Sequence, residues 1–266
     1  AAYWLSEPPG EPLGTDDVGH LLEARYHHLA AGDTTQAGEL TERVCTTLHR
    51  RGAWEQDRSL LADTVDALGP TEPLAAALRN RLGELSSGRG DHAAALNFHS
   101  EALRIAEELH EEYATAAAHV CIGQIEQEQG RYAAAEARYH EALAVYTGLA
   151  DEAGIASTHY LFAQNARAQG DHDSADSHCN TALTTFYSLG DRHNQATCHQ
   201  LLAQLADDEG RLHFARASYH GALALFEEIE AHADAARLRG QLGDMAARNG
   251  DPDQAATEYH HAFATF

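Results

Sequence analysis

The sequence predicts an all-α chain built as a solenoid of stacked antiparallel helix hairpins, and three observations carry that reading. Glycines recur at Gly90, Gly130, Gly170, Gly210 and Gly250, forty residues apart. Alanines hold the same period at Ala76, Ala116, Ala156, Ala196 and Ala236, at Ala95, Ala135, Ala175, Ala215 and Ala255, and at Ala102, Ala142, Ala182, Ala222 and Ala262. Large apolar residues at Leu82, Ile122, Phe162, Leu202 and Leu242 are each followed by a small one: Gly83, Gly123, Ala163, Ala203 and Gly243. Such a period marks units that cannot bury an apolar face alone and must stack to share a core.

The elements follow in order along the chain. Residues 1–14, with Pro8, Pro9, Pro12, Gly10 and Gly14, read as an extended lead-in. Helical patterns at about 16–31, 34–50 and 54–68 are punctuated by Gly32-Asp33, Gly52 and Gly69-Pro70. Residues 15–70 therefore read as irregular N-terminal helices or a degenerate repeat, with Trp54 at the phase of Tyr132. Residues 71–266 read as five 40-residue hairpins, the last truncated. Within one hairpin the first helix ends at the recurring glycine, which adopts positive φ without a Cβ penalty. Asp91, Asp171 and Asp251 stand where the second helix needs an N-cap. That helix runs to about Leu149 in the second hairpin, and Ala150-Asp151 or Gly190-Asp191 turns the chain into the next unit. Residue 1 is Ala, and Phe266 falls at the phase of Tyr146, Phe186 and Phe226, before a helix would end. The expectation is a segment of a longer array.

The pattern A-x(5)-L-G-x(6)-G-D-x(3)-A-x(3)-Y-x-x-A-L, seen as Ala116, Ile122-Gly123, Gly130, Ala135, Tyr139 and Ala142-Leu143, resembles the tetratricopeptide repeat over roughly residues 74–266. The resemblance implies a right-handed superhelix whose concave wall is made by the first helix of each unit. Two departures stand out: the period is 40 rather than about 34 residues, and the family's early Trp and terminal Pro are missing from every unit. The longer period lengthens each helix by about three residues. This form resembles the repeat regions of bacterial multidomain regulators, including signal-transduction NTPases, and also peptide-holding scaffold domains.

Composition narrows the function. Asp and Glu number 41 against 18 basic residues, a formal charge of −23, and all the basic residues are Arg. Without Lys there is no phosphate-binding loop of the G-x-x-x-x-G-K type and no Schiff-base chemistry. The acidic balance argues against nucleic acid and against anionic membranes. No apolar run of membrane-spanning length and no signal pattern occur, and Cys45, Cys121, Cys179 and Cys198 form no C-x-x-C, so a cytoplasmic setting is expected. Gly88-Arg89-Gly90-Asp91-His92-Ala93 matches G-x-G-x-x-A but follows a helical pattern, not a strand, and is absorbed by the repeat.

Nineteen histidines include columns at His119, His159 and His199 and at His140, His220 and His260. None is spaced i,i+3 or i,i+4 from another, and Cys45 with His49 is only a pair, so neither a metal site nor another cofactor is expected. No catalytic signature stands out and no enzyme activity is expected. The resemblance assigns the partner-binding wall to Asn80, Glu84, Gln124 and Gln127 in the early repeats. It continues through Tyr160, Gln164, Arg167, Gln200, Gln204 and Asp207, and ends with Arg237, Asp244 and Arg248. Amide side chains repeated along such a wall suit the backbone of an extended peptide. The expected partner is a protein or peptide, neutral to basic, with a small-molecule or signalling-peptide receptor as the alternative. A monomer is expected, with end-to-end association through the last repeat as the other arrangement.

Overall fold

A computed structural model describes residues 15–69 and 72–264. The lead-in over residues 1–14, Pro70 and the truncation at Phe266 lie outside the described residues. Among those described, thirteen α-helices and no strand are found, divided between two compact units, Ala1–Ala150 and Asp151–Phe266. In both, consecutive helices pack as hairpins.

The first unit contains α1 (Thr15–Ala31), α2 (Thr34–Arg50), α3 (Trp54–Leu68), α4 (Pro73–Gly88), α5 (His92–Glu108), α6 (Glu112–Glu128) and α7 (Tyr132–Gly148). Its regular part, α4 to α7, follows the alanine columns: Ala76, Ala95, Ala102, Ala116, Ala135 and Ala142 are all fully buried. The reason for the small-residue column is visible at Gly123, where an added Cβ would stand 2.6 Å from the Tyr139 ring. Gly83 faces the His99 ring in the same way. An aromatic ring from the second helix thus lies on the bare backbone of the first, and any side chain there would overpack the contact. The N-terminal part is held differently. Arg25 is buried and donates from Nε to Thr41 Oγ1 at 3.0 Å and from Nη2 to Thr64 Oγ1 at 2.8 Å, joining α1, α2 and α3. Asp57, fully buried on α3, stands 3.5 Å from Arg81 on α4 and 3.6 Å from His49 on α2.

The second unit contains α8 (Glu152–Ala168), α9 (His172–Leu189), α10 (Arg192–Asp208), α11 (Leu212–Glu228), α12 (His232–Arg248) and α13 (Pro252–Ala264). Asp151, Asp171, Asp191 and Asp251 each cap the following helix, accepting a backbone N–H at 3.0–3.1 Å. One core gathers Cys179, Phe186, Leu201 and Leu205; the next gathers Tyr219, Phe226, Leu238 and Leu242. Each large apolar side chain withdrawn from water there contributes roughly 1.5–3 kcal/mol. Leu183 and Leu223 are buried, whereas Phe263, at the same phase on α13, is 85% exposed.

The turns are of two kinds. Inside each hairpin the residue with positive φ is always glycine, from Gly90 (+78°) to Gly250 (+77°). Between hairpins, Gly190 serves once, while His110 (+57°), Ala150 (+52°) and Glu230 (+56°) adopt the left-handed conformation despite carrying a Cβ.

Candidate functional site

Three first helices of the second unit, α8, α10 and α12, present residues of the same phase side by side. Their C-terminal halves, with the rings of Tyr219 from α11 and Tyr259 from α13, enclose a groove of about 560 Å³. Arg167, Gln204, Asp207, Asp208, Gln241, Asp244 and Arg248 supply its polar lining, and Ala247 lines it as well.

The lining is internally paired. Arg167 on α8 donates to Asp208 on α10 at 2.6 Å and to Gln204 at 2.9 Å. Arg248 on α12 reaches Asp207 on α10 from the other side. Asp207 is only 13% exposed, whereas Arg248 is 65% exposed, so the cation is the movable partner. Tyr259 donates its hydroxyl proton to Asp244 at 2.7 Å, and this bond to a carboxylate raises the phenol above its ordinary pKa. Burial, followed by the nearby Asp207, pushes Tyr219 up to about 12, opposed by Arg167 and Arg248. Both phenols therefore remain neutral at physiological pH. With both arginines charged, three aspartates leave the groove one negative charge in excess.

Of the residues expected at the wall, Arg167, Gln204, Asp207, Asp244 and Arg248 meet in this groove. The others in this unit do not line it. Tyr160 accepts from Gln164 at 3.1 Å, and burial raises its pKa, with Arg237 close enough to oppose the shift. Gln200 is buried and donates to Gln241 at 2.8 Å. In the first unit Asn80 points inward, its Oδ1 3.0 Å from His99 Nδ1, and Gln127 accepts the Tyr139 hydroxyl at 2.9 Å. Glu84 and Gln124 are half-buried on α4 and α6.

Reasoning from spacing within one helix missed Asp208, Tyr219, Gln241 and Tyr259, and it missed a second feature of this unit. His159 on α8 and His178 on α9 face each other with Nδ1 atoms 3.0 Å apart, and the Phe162 ring is stacked on His178 at 5.1 Å. Burial, then the His178 ring, lowers the His159 pKa. The available signal was a hairpin offset of nineteen residues, the same offset that joins Asn80 to His99. Among the described residues no three His, Cys, Asp or Glu side chains converge as metal ligands, and no helix is long and apolar enough to cross a membrane.

Comparison with known proteins agrees with the repeat geometry. Two family models, both described as tetratricopeptide repeat, match residues 75–112 and 114–188. No curated protein matches the sequence. Among solved structures, the chain is similar to BtubC from P. vanneervenii, at 19% identity and a TM-score of 0.65, covering 80% of this chain and 92% of that one. It is also similar to aspartyl phosphate phosphatase F from Bacillus subtilis, at 11% identity and a TM-score of 0.68, covering 91% and 68%. A third likeness is to the Rap conjugation gene regulator of plasmid pLS20, solved with the Phr* peptide, at 15% identity and a TM-score of 0.59, covering 98% and 78%. At these identities the likeness is one of fold. With two family models matching and the hairpin phase unbroken from α4 to α13, this chain carries tetratricopeptide-type repeats.

Proposed function

We propose that this chain is a non-enzymatic protein- or peptide-binding repeat domain, serving as the C-terminal sensor or scaffold of a larger bacterial regulator of the signal-transduction NTPase type. The observation that carries the reading is the groove between α8, α10 and α12. Amides, phenols and paired charges converge there, groups that can meet the backbone and side chains of an extended peptide. Gln204 and Gln241 offer both donors and acceptors to a peptide backbone. The excess carboxylate favours a ligand that is neutral to basic. A ligand cation competes with the exposed Arg248 for Asp207 and so needs no new buried charge. The similar plasmid regulator, solved with a peptide, supports the reading.

A peptide array of eight-residue sequences graded from acidic to basic tests it. We expect selective capture of basic or neutral members, affinity that falls with salt, and at least a tenfold loss in Asp207→Asn. Capture of no peptide, together with a melting shift from a defined small molecule, would instead favour the small-molecule receptor.

A further inference from the structure

Arg167 reaches from α8 to two residues of α10 at once. Its Nη1 donates to Gln204 Oε1 at 2.9 Å and its Nε to Asp208 at 2.6 Å. Gln204 and Asp208 stand four residues apart and so share one face of α10. At the phase of Arg167 the other first helices carry Gln127, Asp207 and Ala247. The repeat itself therefore does not call for an arginine there.

We propose that Arg167 is a positioning residue: it holds the Gln204 amide with its NH2 group toward the groove, where that group donates to a backbone carbonyl of the bound peptide. The inference rests on the peptide-binding reading above. A guanidinium has donors and no acceptor, so the amide must turn its oxygen to Arg167 and its nitrogen away. Among the described residues that nitrogen meets no acceptor and is not sealed from water, and Gln204 lines the groove. The groove has need of such a donor. Asp207, Asp208 and Asp244 only accept; they suit the N–H groups and cations of a ligand and give nothing to its carbonyls. Both arginines already spend donors on carboxylates. Without Arg167 the amide is free to turn end for end and offer an oxygen in place of the nitrogen, which repels a carbonyl. Arg167 and Asp208 are both partly exposed, so the pair itself adds little to stability.

The test uses the whole chain and a basic peptide captured from the array, titrated by calorimetry against Arg167→Met, Gln204→Ala and the double variant. Gln204→Ala should lose about fivefold in affinity, the size of one hydrogen bond. Arg167→Met should lose about threefold in the parent and nothing further once Gln204 is Ala. Charge alone predicts the reverse, because the substitution removes a cation and frees Asp208 for a basic ligand. Arg167→Gln, whose amide can face Gln204 with either end, should show the same coupling and serves as the second probe. Helical circular dichroism matching the parent establishes that each variant is folded. A gain in affinity, or an equal loss in both backgrounds, would overturn the positioning role while leaving peptide binding in place. Capture of no peptide by the parent would overturn the peptide reading and this inference with it.

Discussion

The two units put some of the same column positions of the hairpin to different uses. In the first unit, polar side chains turn into the stack: Asn80 holds His99, Gln127 holds Tyr139, and Arg25 and Asp57 tie the N-terminal helices together from within. In the second, Gln200 at the phase of Asn80 is buried as well, but Asp207, at the phase of Gln127, lines a groove with Gln204, Asp244 and Arg248. The backbone repeat is common to both, so a column position has no fixed role. What decides is the residue it meets: Gln127 meets Tyr139 across its own hairpin, whereas Arg167 and Arg248 meet Asp208 and Asp207 on a neighbouring first helix.

The contrast can be broken most severely at Asp57. Asp57→Ala leaves the buried Arg81 guanidinium without its carboxylate, and we expect a loss of about 3–5 kcal/mol in urea unfolding. Asp57→Leu with Arg81→Met should lose far less, because it removes both charges together. A single-site loss below about 1 kcal/mol would show that the N-terminal helices do not depend on this pair.

A smaller effect is expected where ring meets backbone. Gly123→Ala drives a methyl into Tyr139 and should lose about 1–3 kcal/mol. The second unit carries Ala163 and Cys179 at the same two positions. Gly123→Ala combined with Tyr139→Cys should therefore lose about 1 kcal/mol less than the sum of the two single changes. Strict additivity would mean that the ring and the glycine are not coupled.

The remaining test is acid. Burial holds His99 down at about 4 instead of 6.5. Below pH 6.5 the unfolded chain takes up a proton that the folded chain refuses, so this contribution is whole above pH 6.5 and fades as pH falls toward 4. Its full size is roughly 3 kcal/mol. His99→Gln, which keeps a polar group beside Asn80, should flatten the dependence of the urea midpoint between pH 7 and pH 5.

How much of this was legible in the sequence follows from the same contrast. The 40-residue columns carried the hairpins, and the glycine turns and Asp91, Asp171 and Asp251 caps fall where the spacing put them. Arg167, Asp207 and Asp244 could be anticipated at the groove because they repeat the phase of successive first helices. Tyr219 and Tyr259 could not. They belong to second helices, where a tyrosine column reads as core. The inward turn of Asn80 and the meeting of His159 with His178 depend on pairings nineteen residues apart across a turn. Helical periodicity compares neighbours three and four residues apart and does not register such pairs.

The joints between hairpins add a property that the columns do not have. His110 and Glu230 hold left-handed backbone without being glycine, at about 1–2 kcal/mol each. Relaxing either joint returns that energy, so we expect the stack to loosen at these seams before the hairpins open. Amide hydrogens flanking those two residues should exchange soonest, giving each forty-residue block a measure of independence from its neighbours.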